Sequence, residues 1–224
     1  MRDNYLNKFN NENNSFISNI FFGHIISVTK CSNCSTEFYD FEISYLINFP
    51  LLDIQNYIFK NENKNKKILS IEDCFNYLQR TTEKNENLNI GNNFKCVKCG
   101  SNNGFSYFKK LYIGPNILAI SFNHDKNKDL INVEFKEELN LESIIYKDEI
   151  NNNKYVNNYK LIGIIGILQS NNNKFIAYYR NLSSNNWFCS DYDSKTIINN
   201  FNEKISGKCI PYNLFYQNQE TKGK

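Results

Sequence analysis

A chain of 224 residues with 41% hydrophobic and 15% aromatic side chains can fill one sizeable core or two small ones. Its 26 basic and 23 acidic side chains leave a net charge of +3, too balanced for the strong field of a nucleic-acid or anionic-membrane binder. No apolar run approaches the roughly 20 residues that cross a bilayer, and the polar start MRDNYLNKFNNENNSF lacks the apolar centre of a signal peptide. The expectation is an intracellular protein, cytoplasmic or nuclear, with no membrane partner.

Residues 1–16 read as a polar, mobile tail, residues 17–218 as one folded domain and residues 219–224 as a second tail. From Ile17 the run ISNIFFGHIISVTKC is apolar and β-branched, and reads as strand. EFYDFEISYLINFPL alternates from Phe38 to Ile47 and is stopped by Pro50, after which NENKNKK at 61–67 reads as a charged loop. The clearest helix is ILSIEDCFNYLQRTT, with Ser70 as N-cap, Glu72 and Asp73 in the first turn, and Ile71, Phe75 and Leu78 on one side. From Phe94 strands dominate: FKCVKC, FSYFKKLYIG, NILAISFNH, NVEFKEELNL, YKLIGIIGIL, KFIAYYRN, NWFCSDYD and IPYNLFYQN. Strand after strand without long helices predicts an α+β fold that is mostly antiparallel β. The asparagine runs at 151–153 and 171–173 read as loop insertions.

Seven cysteines are too few for a disulfide scaffold in a chain this long, but their spacing carries chemistry. Cys31-Ser-Asn-Cys34 and Cys96-Val-Lys-Cys99 are two C-x-x-C knuckles, each of which can turn two thiolates toward one ion. Four thiolates suit a structural zinc, and the 61 residues between the pairs require the chain to leave and return. Two unrelated pairs are the bland alternative. Cys74, Cys189 and Cys209 sit among core-like neighbours and read as small buried hydrophobes. His24, in an apolar strand, and His124, in a polar turn, have no evident Asp or Asn partner and read as structural or solvent-exposed.

The ordered series is a knuckle, an alternating strand ending in proline, a helix with a central cysteine, a second knuckle and then KKLYIGPNILAISF. With VEFKEELNL, YKLIGIIGIL, KFIAYYRN, NWFCSDYD and PYNLFYQN following, it resembles the ubiquitin-specific proteases, the cysteine deubiquitinases, from about Phe16 to the end of the last strand. The resemblance implies a papain-like palm with zinc-ribbon fingers drawn from about 28–48 and 90–112, gripping ubiquitin or a ubiquitinated protein. It also implies thiol-dependent hydrolysis of the isopeptide bond after the ubiquitin C-terminus, and Cys31, Cys34, Cys96 and Cys99 as zinc ligands. Strands near 38–47 and 105–122 would join fingers to palm.

Two departures bear on chemistry. The family's nucleophile lies in a G-N-T-C-Y-x-N-S type box within a helical thumb, and neither the box nor room for the thumb is found here. Its general base is the histidine of a G-H-Y-x-A-Y type strand, matched by Asn173-Lys174-Phe175-Ile176-Ala177-Tyr178, so Lys174 stands in the histidine position. Asp191, four residues after Trp187, falls on the residue that orients that histidine. A lysine keeps its proton at neutral pH, so the expectation is a Lys174–Asp191 ion pair that preserves the palm without serving as a base. FNHD at 122–125 also departs from the family's basic-aromatic ending of that strand. Three readings follow: a deubiquitinase homologue, inactive as this chain alone; a non-catalytic ubiquitin-binding or scaffold pseudoenzyme, alone or within a larger complex; and, remotely, a zinc-ribbon nucleic-acid binder using Lys95, Lys98, Lys109 and Lys110 with Tyr107 and Phe108.

Overall fold

The structure, a computed structural model, describes residue 5 and residues 15–62, 66–80, 82–83, 95–125, 130–147, 158–168, 174–191, 194–198 and 209–219. Two mainly antiparallel units follow from the strand pairing. The smaller is a four-stranded sheet of, in spatial order, β2 (Glu37–Ser44), β1 (Gly23–Cys31), β6 (Phe105–Ile113) and β5 (Thr82–Glu83). The larger runs, in spatial order, through β13 (Lys195–Ile198), β12 (Trp187–Ser190), β11 (Phe175–Arg180), β10 (Asn158–Leu168), β14 (Cys209–Asn218), β7 (Ile117–Asn123) and β3 (Ile47–Pro50). A further strand, β9 (Glu138–Asn140), pairs with β10. A short parallel pair, β4 (Ile68–Ser70) with β8 (Asn132–Glu134), flanks this sheet.

The large sheet packs one face into the main core. Alternate residues Leu118, Ile120 and Phe122 of β7, Leu214 and Tyr216 of β14, and Ile176 and Tyr178 of β11 are buried there with Trp187. Two helices complete this layer. In α2 (Leu51–Glu62), Leu51, Ile54 and Ile58 recur at helical spacing and are buried. In α3 (Ile71–Leu78), Ser70 caps as its spacing predicts: its hydroxyl accepts from the Asp73 N–H at 3.1 Å while the Asp73 carboxylate accepts from the Ser70 N–H at 2.9 Å. Ile71, Cys74 and Phe75 are its buried side.

The two units are joined by strands that pass from one sheet to the other within a few residues. β2 ends at Ser44 and β3 begins at Ile47; β6 ends at Ile113 and β7 begins at Ile117. Tyr159, buried, donates its hydroxyl to the Pro115 carbonyl at 2.8 Å and sits where a side chain on Gly114 would be. A Cβ at Gly23 would lie 2.7 Å from the Ile113 carbonyl oxygen and 2.8 Å from Pro115 Cδ. Only glycine lets these backbones close on each other.

Several local expectations are corrected. Phe16–Phe21 is a short helix, α1, in place of strand, because Ser15 and Ser18 form a reciprocal cap ahead of it. The alternating run 38–47 is split at Tyr45–Leu46 into strands of different sheets, and α2 fills the stretch after Pro50. Within FKCVKC the described residues 95–99 are not strand, and 97–99 form the turn of the second knuckle. β13 adds an edge strand that the sequence pattern does not predict. The asparagine runs at 151–153 and 171–173 lie outside the described residues, as do most of 1–14 and all of 84–94 and 220–224.

His124 is 9% exposed, not at the surface: its Nε2 lies 2.9 Å from the Pro211 carbonyl, which fixes that nitrogen as the donor, and its ring packs 4.4 Å from that of Tyr212. Burial holds both His24 and His124 below the usual imidazole value. As pH falls through 6.5 the unfolded chain therefore takes up protons that the native state refuses, and stability falls. Urea unfolding followed by Trp187 emission is expected to show a lower midpoint at acid pH than at neutral pH. Replacing His24 and His124 by Gln is expected to flatten that dependence, and an unchanged pH slope in the double variant contradicts the assignment.

Candidate metal centre and palm site

At the far end of the small sheet the two knuckles face each other. Each is a tight turn closed in the same way. The Ser35 N–H donates to the Cys31 carbonyl and the Gly100 N–H to the Cys96 carbonyl, both at 2.8 Å. Behind them the Cys31 N–H meets the Thr36 carbonyl at 2.9 Å and the Cys96 N–H the Ser101 carbonyl at 2.8 Å. Ser35 and Gly100, each directly after the second cysteine, take positive φ of 57° and 74°, the left-handed turn that brings both sulfurs of a knuckle to one side. The repeat of one backbone device in two segments is what makes a shared centre.

The four Sγ atoms of Cys31, Cys34, Cys96 and Cys99 lie within 4.8 Å of one another. Cys31 and Cys99 are 3.7 Å apart and Cys34 and Cys96 3.5 Å. Metal–sulfur bonds of about 2.3 Å in a tetrahedron set sulfurs about 3.8 Å apart, so the cluster has the dimensions of a tetrahedral thiolate site. Burial pushes the Cys31 thiol up to about 11, while the Thr36 hydroxyl and N–H hold Cys34 down at about 6. Around the sulfurs, Cys31, Cys96 and Phe105 form a separate small cluster with Cys34 and Phe38, far too little apolar mass to hold a fingertip alone. Between tip and palm lies a second small cluster, Ile26, Val28 and Tyr112 with Phe41 and Phe108 against it.

The second place is the end of the large sheet where β11 begins and β12 ends. These strands are antiparallel, with Ala177 opposite Ser190 and Tyr178 opposite Cys189. Their register is set by the loop between them. The Asn181 side-chain oxygen accepts from the Ser183 and Ser184 N–H groups at 2.9 and 3.2 Å, and Asn185 takes a left-handed φ of 61°. With that register, Lys174, just before β11, and Asp191, just after β12, meet: Lys174 Nζ is 3.6 Å from Asp191 Oδ2, with side chains 36% and 25% exposed. Asp191 Oδ1 accepts from the Ser194 N–H at 2.8 Å and the Ser194 hydroxyl at 3.0 Å. Ser194 has no signal in the sequence; its role arises from the turn into β13.

The other cysteines and the basic candidates lie elsewhere. Cys74 and Cys209 are buried, at 0% and 2% exposure, and burial drives both thiols up to about 12. Cys189 is half-buried on β12. Lys109 is not a free surface cation but is paired to Glu42 at 2.6 Å.

The family model described as ubiquitin carboxyl-terminal hydrolase matches residues 2–216. The chain belongs to that family. No individual curated protein matches the sequence. Among solved structures, the SAGA Ubp8/Sgf11/Sus1/Sgf73 DUB module bound to ubiquitin aldehyde aligns with TM-score 0.69 and 18% identity over 97% of this chain and 46% of that one. The SAGA DUB module bound to monoubiquitin aligns with TM-score 0.67 and 18% identity, over 91% and 42%. A yeast SAGA DUB module with an altered Sgf73 aligns with TM-score 0.65 and 17% identity, over 96% and 45%. The likeness establishes an α+β, mostly antiparallel ubiquitin-specific protease fold, and the chain spans less than half the length of these structural relatives.

The two members of the Lys174–Asp191 pair differ in expected energetic weight. Replacing Lys174 by Ala should change the unfolding free energy by less than about 1 kcal/mol, as for exposed ion pairs. Asp191→Ala should cost more, about 1–2 kcal/mol, because it also strips two hydrogen bonds from the β12–β13 turn. Urea denaturation of the two variants measures this, and a larger loss for Lys174→Ala contradicts the geometry.

Proposed function

We propose that this chain is the fingers-and-palm portion of a ubiquitin-specific protease homologue that binds ubiquitin, or a ubiquitinated protein, without cleaving it. The observation that supports the reading is the Lys174–Asp191 pair, 3.6 Å apart, at the two positions that the resemblance matches to the family's histidine and its orienting residue. Cysteine hydrolysis requires a group with an available lone pair to take the thiol proton. An ammonium held against a carboxylate has none.

Asp191 would then act as the positioning partner of Lys174, keeping the ends of β11 and β12 together. Cys31, Cys34, Cys96 and Cys99 would hold zinc, which suits a four-sulfur tetrahedral site with no position left for substrate; its contribution there is structural. Reduced thiolates of this kind fit an intracellular protein, cytoplasmic or nuclear. Among the described residues no helix is long and apolar enough to cross a membrane. The structural relatives are parts of multisubunit modules, one bound to ubiquitin aldehyde and another to monoubiquitin, which supports ubiquitin as a partner and a larger assembly as the setting.

The test is a ubiquitin titration and a fluorogenic ubiquitin-conjugate assay on the same preparation. Binding without turnover is expected. Turnover that disappears in Lys174→Ala would make Lys174 a working base and overturn the proposal, and absence of binding would overturn it from the other side.

A further inference from the structure

We propose that Asn103, in the loop after the second knuckle, is a site of spontaneous deamidation, and that its conversion to isoaspartate speeds the loss of metal from the four cysteines. The first half stands on the loop alone; the second rests on the metal reading above. Asn103–Gly104 is the only asparagine–glycine pair in the sequence. Glycine has no Cβ to shield its nitrogen, so a side-chain amide carbon just before it is open to attack.

The step balances with water as its only co-reactant. The Gly104 nitrogen attacks Asn103 Cγ, the Cγ–Nδ2 bond breaks, and ammonia leaves with the proton that Gly104 gives up. Water then opens the resulting cyclic imide at either carbonyl, leaving aspartate or isoaspartate. In isoaspartate the main chain runs through the former side chain and is one methylene longer.

The loop leaves each participant open. Asn103 and Gly104 are both exposed and lie between the Cys96–Cys99 turn and β6, outside any helix or strand. Among the described residues nothing accepts from the Gly104 N–H and nothing holds Asn103 Nδ2, so neither the attacking nitrogen nor the leaving one is tied down. The Ser101 hydroxyl stands 2.9 Å from the Asn103 carbonyl oxygen and 3.3 Å from Oδ1, within reach of the oxygen that gathers charge as Cγ is attacked.

The consequence falls on the metal centre. The Gly104 carbonyl accepts from the Ser32 N–H at 2.7 Å, which ties the loop of the second knuckle to the first. Phe105, the next residue, is 2% exposed and packs with Cys31 and Cys96. A methylene inserted just before Gly104 pulls its carbonyl off Ser32 while Phe105 stays anchored. Loss of one such hydrogen bond corresponds to metal release about threefold to tenfold faster. The pair is a timer: old copies of the chain lose the ion that orders the small sheet.

The experiment ages the zinc-loaded whole chain at neutral and at mildly alkaline pH. Peptide mass mapping, isoaspartyl methyltransferase labelling and zinc transfer to a coloured chelator are read on the same samples. The amide at position 103 should convert ahead of every other asparagine, faster at the higher pH because the attacking nitrogen must shed its proton. The converted fraction should release zinc faster by the factor above. Asn103→Gln, whose longer side chain closes the ring poorly, should keep its amide and the release rate of fresh protein. Asn103→Asp adds the charge without lengthening the main chain and should also release zinc at the fresh rate. An intact amide at 103 after another asparagine has converted overturns the first half. Equal release from converted and unconverted protein, or release from Asn103→Asp as fast as from the converted fraction, overturns the second. Fresh protein that takes up no zinc removes the metal reading and the second half with it, and the mass measurement still decides the first.

Discussion

Four cysteine sulfurs converging on one point, all within 4.8 Å of one another, are the constraint on which the small sheet of this molecule depends. The knuckles lie 61 residues apart in the chain, and among the described residues the sheet that carries them has two small apolar clusters of its own. Apolar burial on that scale offsets little of the entropy lost in ordering three long strands. A structural ion bound by four thiolates contributes on the order of 10–16 kcal/mol in small domains, enough to close such a loop and set its strands in register. From the cysteines the strands run back, β2 into β3 and β6 into β7, so an ion held there would also order strands that cross into the large sheet.

The palm needs no such help. Its large sheet buries one face against α2, α3 and the parallel β4–β8 pair in one continuous core. That rigidity is what gives the Lys174–Asp191 pair meaning. A hairpin pinned by Asn181 and Asn185 delivers the two side chains to the same end of the sheet, 3.6 Å apart. On the proposed reading, the frame of a catalytic dyad would be kept without its proton acceptor.

Much of this is readable from the chain alone, for identifiable reasons. The knuckles announce themselves because paired cysteines at a two-residue spacing have few other uses, and the α3 cap follows from side-chain chemistry within four residues. Lys174 and Asp191 stand out only through the order of motifs around them, since nothing local marks a lysine before a strand. The features that escape a reading of the sequence depend on partners distant in the chain or on competing local signals. α2 carries Leu51, Ile54 and Ile58 at helical spacing, but Pro50 and the lysine-rich stretch beyond suggest a stop and a loop. Phe16–Phe21 has strand-like composition, overridden by two serines that cap it. For His124, read as structural or solvent-exposed, the sequence leaves open which; Tyr212 and the Pro211 carbonyl, 87 residues on, bury it.

On the reading proposed above, an ion held by the four cysteines would order the small sheet, and the small and large sheets together would hold ubiquitin without chemistry. Trp187, the single tryptophan, lies 5% exposed in the palm core and so reports on the palm separately from the clamp. The most direct measurement is ubiquitin affinity before and after chelation, with Trp187 emission recorded on the same samples. Loss of binding with unchanged emission, restored by added zinc, is the predicted result. Undiminished ubiquitin binding by fully metal-free protein would contradict it.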